Sequence, residues 1–131
     1  DFCQRESGTR AQRDALTNNG KERHSAEFYR KMAGLGWAGI IVDEQYGGAG
    51  AGNVEMCILL EEACRGLAPI GGVGPTFISA AAYQRFADEE LKREVLAQVC
   101  EGESLSISMS EPEAGSDVGA LTCRAVVEWP P

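Results

Sequence analysis

Apolar residues recur every three to four positions through most of the chain, and every second position in one late stretch. From Ser25 the helical period is clear. Phe28, Met32 and Leu35 stand at i, i+4 and i+7, Ser25 offers a capping hydroxyl, and Glu27 sits in the first turn. Gly34 and Gly36 end that helix. Trp37 to Val42 is an apolar run too short for periodicity to assign, and a glycine-rich loop follows from Asp43 to Gly52. Asn53 is the expected N-cap of a helix carrying Val54, Cys57, Ile58, Leu59, Leu60, Ala63 and Cys64. Its wide apolar arc predicts a mostly buried helix, stopped by Gly66 and Pro69. After a loop at Gly71–Gly74, Pro75 opens another helix through Phe77, Ile78, Ala81, Ala82 and Phe86. Asp88 caps the next, with Glu89 and Glu90 at the positive end of its dipole, Leu91, Val95 and Val99 as its stripe, and Gly102 as its stop.

The period then changes. Ser104-Leu105-Ser106-Ile107-Ser108-Met109-Ser110 alternates without a break, which predicts a β-strand. Residues 1–24 are polar, with Leu16 as their only large aliphatic residue, and predict a frayed helix or none. The fold class is therefore mainly α: a helical domain over residues 1–103, then the start of a sheet domain over 104–131. Phe28, Met32, Ile58, Leu60, Phe77, Leu91 and Val95 are the predicted core.

The 131 residues, 44% apolar and 24% charged, fit one ordinary packed domain and exclude a disordered or collagen-like chain. The net charge of −8 is uneven: seven basic and five acidic residues in 1–35, five and fifteen in 36–131. With no sustained basic stripe the chain is a poor nucleic-acid binder, because phosphate neutralisation supplies most of that affinity. No apolar run approaches the length of a membrane span. The five cysteines (Cys3, Cys57, Cys64, Cys100 and Cys123) form no C-x-x-C pair, and His24 is the single histidine, so no metal-ligand spacing exists and a reducing compartment fits best. Cys57 and Cys64, seven apart, read as small core residues on one helix face.

Two loops invite a chemical reading. The order apolar run, glycine loop, helix has the outline of a dinucleotide-binding turn, but G-x-G-x-x-G directly after a strand is required. Here Gly48, Gly50 and Gly52 alternate, four polar residues intervene and no glycine stands at the third-glycine site, so the loop reads as a flexible connector. The second loop, Ser110 to Gly119, combines hydroxyls, a proline-fixed turn, glycines and free backbone amides. Its residues alone leave two readings open: an ordinary β-turn, or a turn facing a ligand through main-chain N–H groups.

The run Met109-Ser110-Glu111-Pro112-Glu113-Ala114-Gly115-Ser116-Asp117-Val118-Gly119-Ala120 resembles the flavin-site motif of acyl-CoA dehydrogenases, where a hydroxyl residue, Glu, Pro, any residue, a small residue, Gly, Ser and Asp follow in order. Leu35-Gly36-Trp37-Ala38-Gly39-Ile40 and Tyr46-Gly47-Gly48-Ala49-Gly50 are similar to that family's segment further upstream, and Asp88 to Gly102 to the helix leading into its β domain. The resemblance covers roughly residues 26–125. It implies the family's N-terminal helical domain followed by the first strand and flavin loop of a truncated middle β domain.

The resemblance further implies an FAD-dependent α,β-desaturation of an acyl-CoA, with electrons passed to an electron-transfer flavoprotein, in a homo- or hetero-oligomer located in the cytoplasm or, in a eukaryote, the mitochondrial matrix. Ile107, Ser108, Met109, Ser110, Glu111, Pro112, Glu113, Ala114, Gly115 and Ser116 would form the wall against the isoalloxazine. Ser110 would serve its pyrimidine edge, and Ser116 both the flavin and the acyl-CoA thioester arm. Ile107 stands where an aromatic is common and Ser108 where Ala, Cys or Gly is, while Glu111 and Asp117 belong to loop geometry. The family's carboxylate base lies in a C-terminal helical domain beyond Pro131, so no catalytic residue is assigned and an incomplete, inactive chain is expected. Val126 to Pro131 leave the family's pattern, as a truncation or a shifted reading frame would produce. Alternatives are a flavin monooxygenase or nitroalkane oxidase-like enzyme of the same fold, or a non-catalytic helical interaction fragment.

Overall fold

The computed structural model describes residues 1–126; the predicted departure at 126–131 lies outside them but for Val126. Six α-helices carry the described fold: α1 (Phe2–Ser7), α2 (Arg10–Leu16), α3 (Ala26–Ala33), α4 (Asn53–Arg65), α5 (Val73–Phe86) and α6 (Glu89–Cys100). The mainly helical expectation holds for the domain up to Gly102. The frayed N-terminus does not. Thr9 caps α2 by accepting from Gln12 N while the Gln12 side chain returns to Thr9 N, a reciprocal pair that satisfies two free helix-end groups. Phe2 on α1 stacks edge-on against Phe28 and Trp37 at 5.2 Å each, and Ser7 is buried with its hydroxyl on the carbonyls of Cys3 and Gly66.

Ser25 caps α3 as expected, accepting from Phe28 N at 3.3 Å. The stripe of α3 buries Phe28, Tyr29 and Met32; Leu35 lies past its end and is exposed. These three join Ala38, Ala63, Ile70, Val73 and Phe77 in the larger core, while Val42, Tyr46, Ala80, Leu96 and Val99 form a second cluster between α5 and α6. Asp88 caps α6 by accepting from Leu91 N at 2.9 Å.

The core differs from the predicted one in a regular way. Phe28, Met32 and Phe77 are buried, Leu60 and Val95 are half-buried, and Ile58 (56%) and Leu91 (40%) are exposed. Helix α4 is not mostly buried: only Ala63 is, and Val54, Cys57, Ile58 and Cys64 face solvent. An apolar arc reports what a helix offers, and its neighbours decide how much is covered. Asn53 is the first helical residue, not the cap; Glu55 reaches back to Gly52 N at 3.0 Å instead. On α5 the buried face is Val73, Thr76, Phe77 and Ala80, leaving Ile78, Ala81, Ala82 and Phe86 outside.

Residues 37–51 are neither strand nor a flexible connector. Gly48 N donates to Asp43 O, Ala49 N to Gly39 O, Gly50 N to Val42 O and Ala51 N to Ile40 O, folding the loop onto itself. Gln84 of α5 holds it from one side, bonding Asp43 N and Ile41 O, and Tyr46 Oη donates to Glu89 of α6 at 3.1 Å from the other. A side chain at Gly48 would fall on the Val42 carbonyl, and Gly47 turns the chain at φ +90.

The predicted strand over 104–110 is not formed among the described residues: no β-ladder is present, only isolated bridges at His24–Ile70 and Glu111–Ala114. Alternation selects a strand's two faces, but a strand exists only through a neighbour's N–H and C=O groups.

Candidate functional site

The candidate loop leaves the helical domain after three anchored residues. Ser104 Oγ lies 3.2 Å from His24 Nε2, Leu105 N donates to Thr76 Oγ1 at 3.0 Å, and Ser79 Oγ donates to Ser106 O at 3.3 Å. Beyond them Ile107, Ser108, Met109 and Ser110 are all exposed, and among the described residues their backbone amides donate no hydrogen bond. Glu111 and Ala114 exchange two backbone bonds, 3.0 and 3.1 Å, around Pro112-Glu113, a tight turn set by the fixed φ of proline. Ala114 is buried, Glu111 half-buried, and Pro112, Glu113, Gly115 and Ser116 are exposed.

The Glu111 carboxylate is fully employed inside the loop. It accepts from Thr122 N and Thr122 Oγ1 with one oxygen and from Cys123 N, at 3.0 Å, with the other. The Thr122 amide above all, with the hydroxyl and the Cys123 amide, holds its carboxyl below the usual range against some burial. A carboxylate stabilised as the anion by three donors is a poor proton acceptor, which agrees with its assignment to loop geometry. Asp117 precedes a short 3-10 turn, Val118–Ala120, and its carbonyl accepts Ala120 N.

The arrangement therefore offers an exposed segment with two apolar side chains (Ile107 and Met109), two hydroxyls (Ser108 and Ser110) and backbone amides unpaired among the described residues, followed after the turn by the exposed Ser116 hydroxyl. An apolar and hydrogen-bonding edge fits one side of a flat heteroaromatic ring such as an isoalloxazine. A cleft of about 550 Å³ lies elsewhere, between α1 and α4, lined by Phe2, Met32, Trp37, Ile40, Ile58 and Ala63. None of the sequence-predicted site residues reaches it.

Sequence reasoning missed His24, Thr76 and Ser79. Thr76 and Ser79 are buried at positions i and i+3 of α5, and the signal was there: hydroxyls on the apolar face of a helix. His24 Nδ1 accepts from Gly72 N at 3.2 Å, and its ring stands edge-on to Tyr29 at 5.3 Å. Burial pushes the His24 pKa down from 6.5. Cys57 and Cys64 are exposed, whereas Cys3 and Cys100 are half-buried and burial raises their thiol pKa.

The glycine loop offers no phosphate cradle, since its amides from Gly48 to Ala51 are consumed internally. That removes the physical basis of a dinucleotide turn.

Residues 1–103 match the family model "Acyl-CoA dehydrogenase, N-terminal domain". Among curated relatives, an acyl-CoA dehydrogenase of Mycobacterium tuberculosis is 30% identical over 107 residues, covering 80% of this chain and 28% of that protein. Isovaleryl-CoA dehydrogenase, mitochondrial, of Pongo abelii is 32% identical over 127 residues, 95% of this chain and 30% of the relative. Acryloyl-CoA reductase (NADH) of Anaerotignum propionicum is 32% identical over 107 residues, 79% and 27% respectively. The chain thus spans less than a third of the length of these relatives, and no solved structure matches it.

Proposed function

The chain belongs to the acyl-CoA dehydrogenase family, whose N-terminal helical domain it carries, and we propose that it supplies one wall of an FAD-dependent acyl-CoA dehydrogenase site. The observation that carries the reading is the loop from Ile107 to Ser116, an outward-facing edge of apolar groups, hydroxyls and free amides directly after the helical domain. Ile107 and Met109 would pack against the flavin, Ser110 would hydrogen-bond its pyrimidine edge, and Ser116 would reach both flavin and acyl-CoA thioester. FAD, when bound, supplies the hydride acceptor for α,β-desaturation. The residues present orient and shield; none of them is placed to take the α proton, since Glu111 is tied into its own loop.

Further support comes from the uncovered apolar surface. Val54, Cys57 and Ile58 on α4, and Ile78 and Phe86 (78% exposed) on α5, form faces that a middle β domain and a C-terminal bundle would cover. Electron-transfer flavoprotein as the electron acceptor, an oligomeric assembly, and a cytoplasmic or mitochondrial-matrix location belong to the same proposal. Among the described residues no helix is long and apolar enough to cross a membrane.

The test joins this chain to the remaining length of the Mycobacterium tuberculosis relative. The purified chimera should be yellow and should reduce an artificial electron acceptor when given an acyl-CoA. Ser110→Ala should weaken FAD retention about tenfold or less, the worth of one hydrogen bond, and Ser116→Ala should act more on acyl-CoA affinity. A folded, colourless chimera would overturn the reading. The 131-residue chain by itself should be colourless after gel filtration, because one wall does not enclose a flavin.

A further inference from the structure

We propose that Thr76, Ser79 and His24 are positioning residues that clamp Ser104, Leu105 and Ser106, and so fix where the candidate flavin loop begins; the role rests on the flavin-loop reading above.

The geometry gives each of three consecutive residues its own anchor. Thr76 is fully buried on the face of α5 that also carries Val73, Phe77 and Ala80. A hydroxyl in such a place must find partners or cost the helix stability. Thr76 Oγ1 donates to Gly72 O at 2.8 Å, one turn back, which leaves its lone pairs to accept Leu105 N–H at 3.0 Å; Leu105 O lies at 3.4 Å. Ser79, three residues on and also buried, donates to Ser106 O. The hydroxyls of α5 thus serve the chain's backbone in the way a neighbouring strand would.

His24 completes the set from a different part of the molecule. A backbone amide only donates, so the bond from Gly72 N leaves Nδ1 bare and puts the ring proton on Nε2, facing Ser104 Oγ. The Leu105 side chain packs against the cluster of Val42, Tyr46, Ala80, Leu96 and Val99. Two residues later the chain reaches Ile107, and among the described residues no backbone N–H from there to Ser110 donates a hydrogen bond. The clamp is therefore the last fixed point before the loop.

Amide hydrogen exchange on the 131-residue chain tests it without any flavin present. In Thr76→Val, which keeps the shape and removes the hydroxyl, Leu105 N–H should exchange about tenfold faster, the effect of one lost hydrogen bond. The Leu96 and Val99 amides inside α6 should keep their rates, and Thr76→Ser should restore Leu105. Ser79→Ala, the milder change, should speed Glu-specific cleavage after Glu103. In the chimera, Thr76→Val should lower FAD retention and Thr76→Ser should recover it. An unchanged Leu105 rate in Thr76→Val, a rise shared equally by α6, or no rescue by serine would overturn the clamp. A faster Leu105 with undiminished FAD retention would overturn its positioning role. Colour in the unmutated chimera reports on the flavin reading separately.

Discussion

Replacing Gly48 by alanine probes the glycine loop where its packing is tightest. A Cβ there would land on the carbonyl and side chain of Val42. Neither has room to retreat: Val42 is fully buried and its carbonyl accepts Gly50 N–H at 2.8 Å. Forcing an extra methyl into a packed site costs about 1–3 kcal/mol. Displacing the Val42 carbonyl also weakens the Gly50 bond, adding about 0.5–1.5 kcal/mol. Gly48→Ala should therefore destabilise the chain by about 2–4 kcal/mol. Two other glycines calibrate the value. At Gly47, φ +90 with no heavy atom within 4 Å of a Cβ, alanine meets only left-handed strain, about 1–2 kcal/mol. At Gly74, in the first turn of α5, a Cβ meets nothing beyond its chain neighbours, but Pro75 follows and disfavours a helical alanine, which offsets the gain through the unfolded chain and leaves Gly74→Ala within about 1 kcal/mol of the unmutated chain. Urea unfolding followed by helical circular dichroism, at constant slope, reads all three as midpoint shifts. The expected order of stability is the unmutated chain with Gly74→Ala beside it, then Gly47→Ala, then Gly48→Ala. If Gly48→Ala were no worse than Gly47→Ala, the loop would be a loose connector after all and the packing argument would fail.

Three further changes follow from single groups. Tyr29 is fully buried, its Oη has no hydrogen-bond partner among the described residues, and burial pushes the phenol up to about 12. Tyr29→Phe should leave stability unchanged or raise it by about 1 kcal/mol, and a loss larger than that would reveal a hidden partner. His24 is held neutral by burial among the Gly72 amide, the Ser104 hydroxyl and the Tyr29 ring, so its folded pKa lies below the ordinary 6.5. Its contribution to stability is full above 6.5 and is lost as pH falls through the lower folded value; thermal unfolding from pH 7.5 downward should show that loss, and His24→Gln should flatten it. Glu111 behaves likewise at lower pH: its tie to Thr122 and Cys123 is full above the ordinary 4.5 and disappears as the depressed carboxyl protonates. Exchange of the Thr122 and Cys123 amides, corrected for intrinsic rates, should rise across that window, and equal protection at all pH values would contradict it.

The helical domain was legible from residues whose function is local. Ser25 and Asp88 cap their helices as their types and positions demand, because a cap needs only one side-chain oxygen and the next turn. Thr9 and Gln12 carried an equally local signal, but the scarcity of aliphatic residues in 1–24 hid it; the packing there rests on Phe2 and on the buried Ser7. Tertiary information was missing for α4 and α6. On α6 the predicted stripe of Leu91, Val95 and Val99 holds at Val99 and in part at Val95, but the fold centres the buried face on Leu96, one residue step of about 100° from Val95, and leaves Leu91 exposed. On α4 the arc is broad enough to face several neighbours, and the fold covers it chiefly at Ala63.

The candidate site divides along the same line. The turn at Glu111–Ala114 was readable from Pro112 and the small residues after it, and its link to a flavin came from resemblance to a family motif, since the turn's own chemistry left both readings open. The anchors of that turn were invisible in a linear reading. A threonine and a serine among apolar residues look like tolerated polar substitutions until the buried face of α5 is known, and a lone histidine far upstream has no visible partner. Their burial shows the asymmetry of this region: the groups that hold Ser104 to Ser106 are satisfied within the domain, while the amides from Ile107 to Ser110 have no partner among the described residues. Unpaired amides and exposed apolar side chains on a segment whose start is fixed cost little in water, and they gain their partners when a second surface closes over them. A site built this way requires the start of the loop to be rigid and its face to be open, which is the division between Ser106 and Ile107.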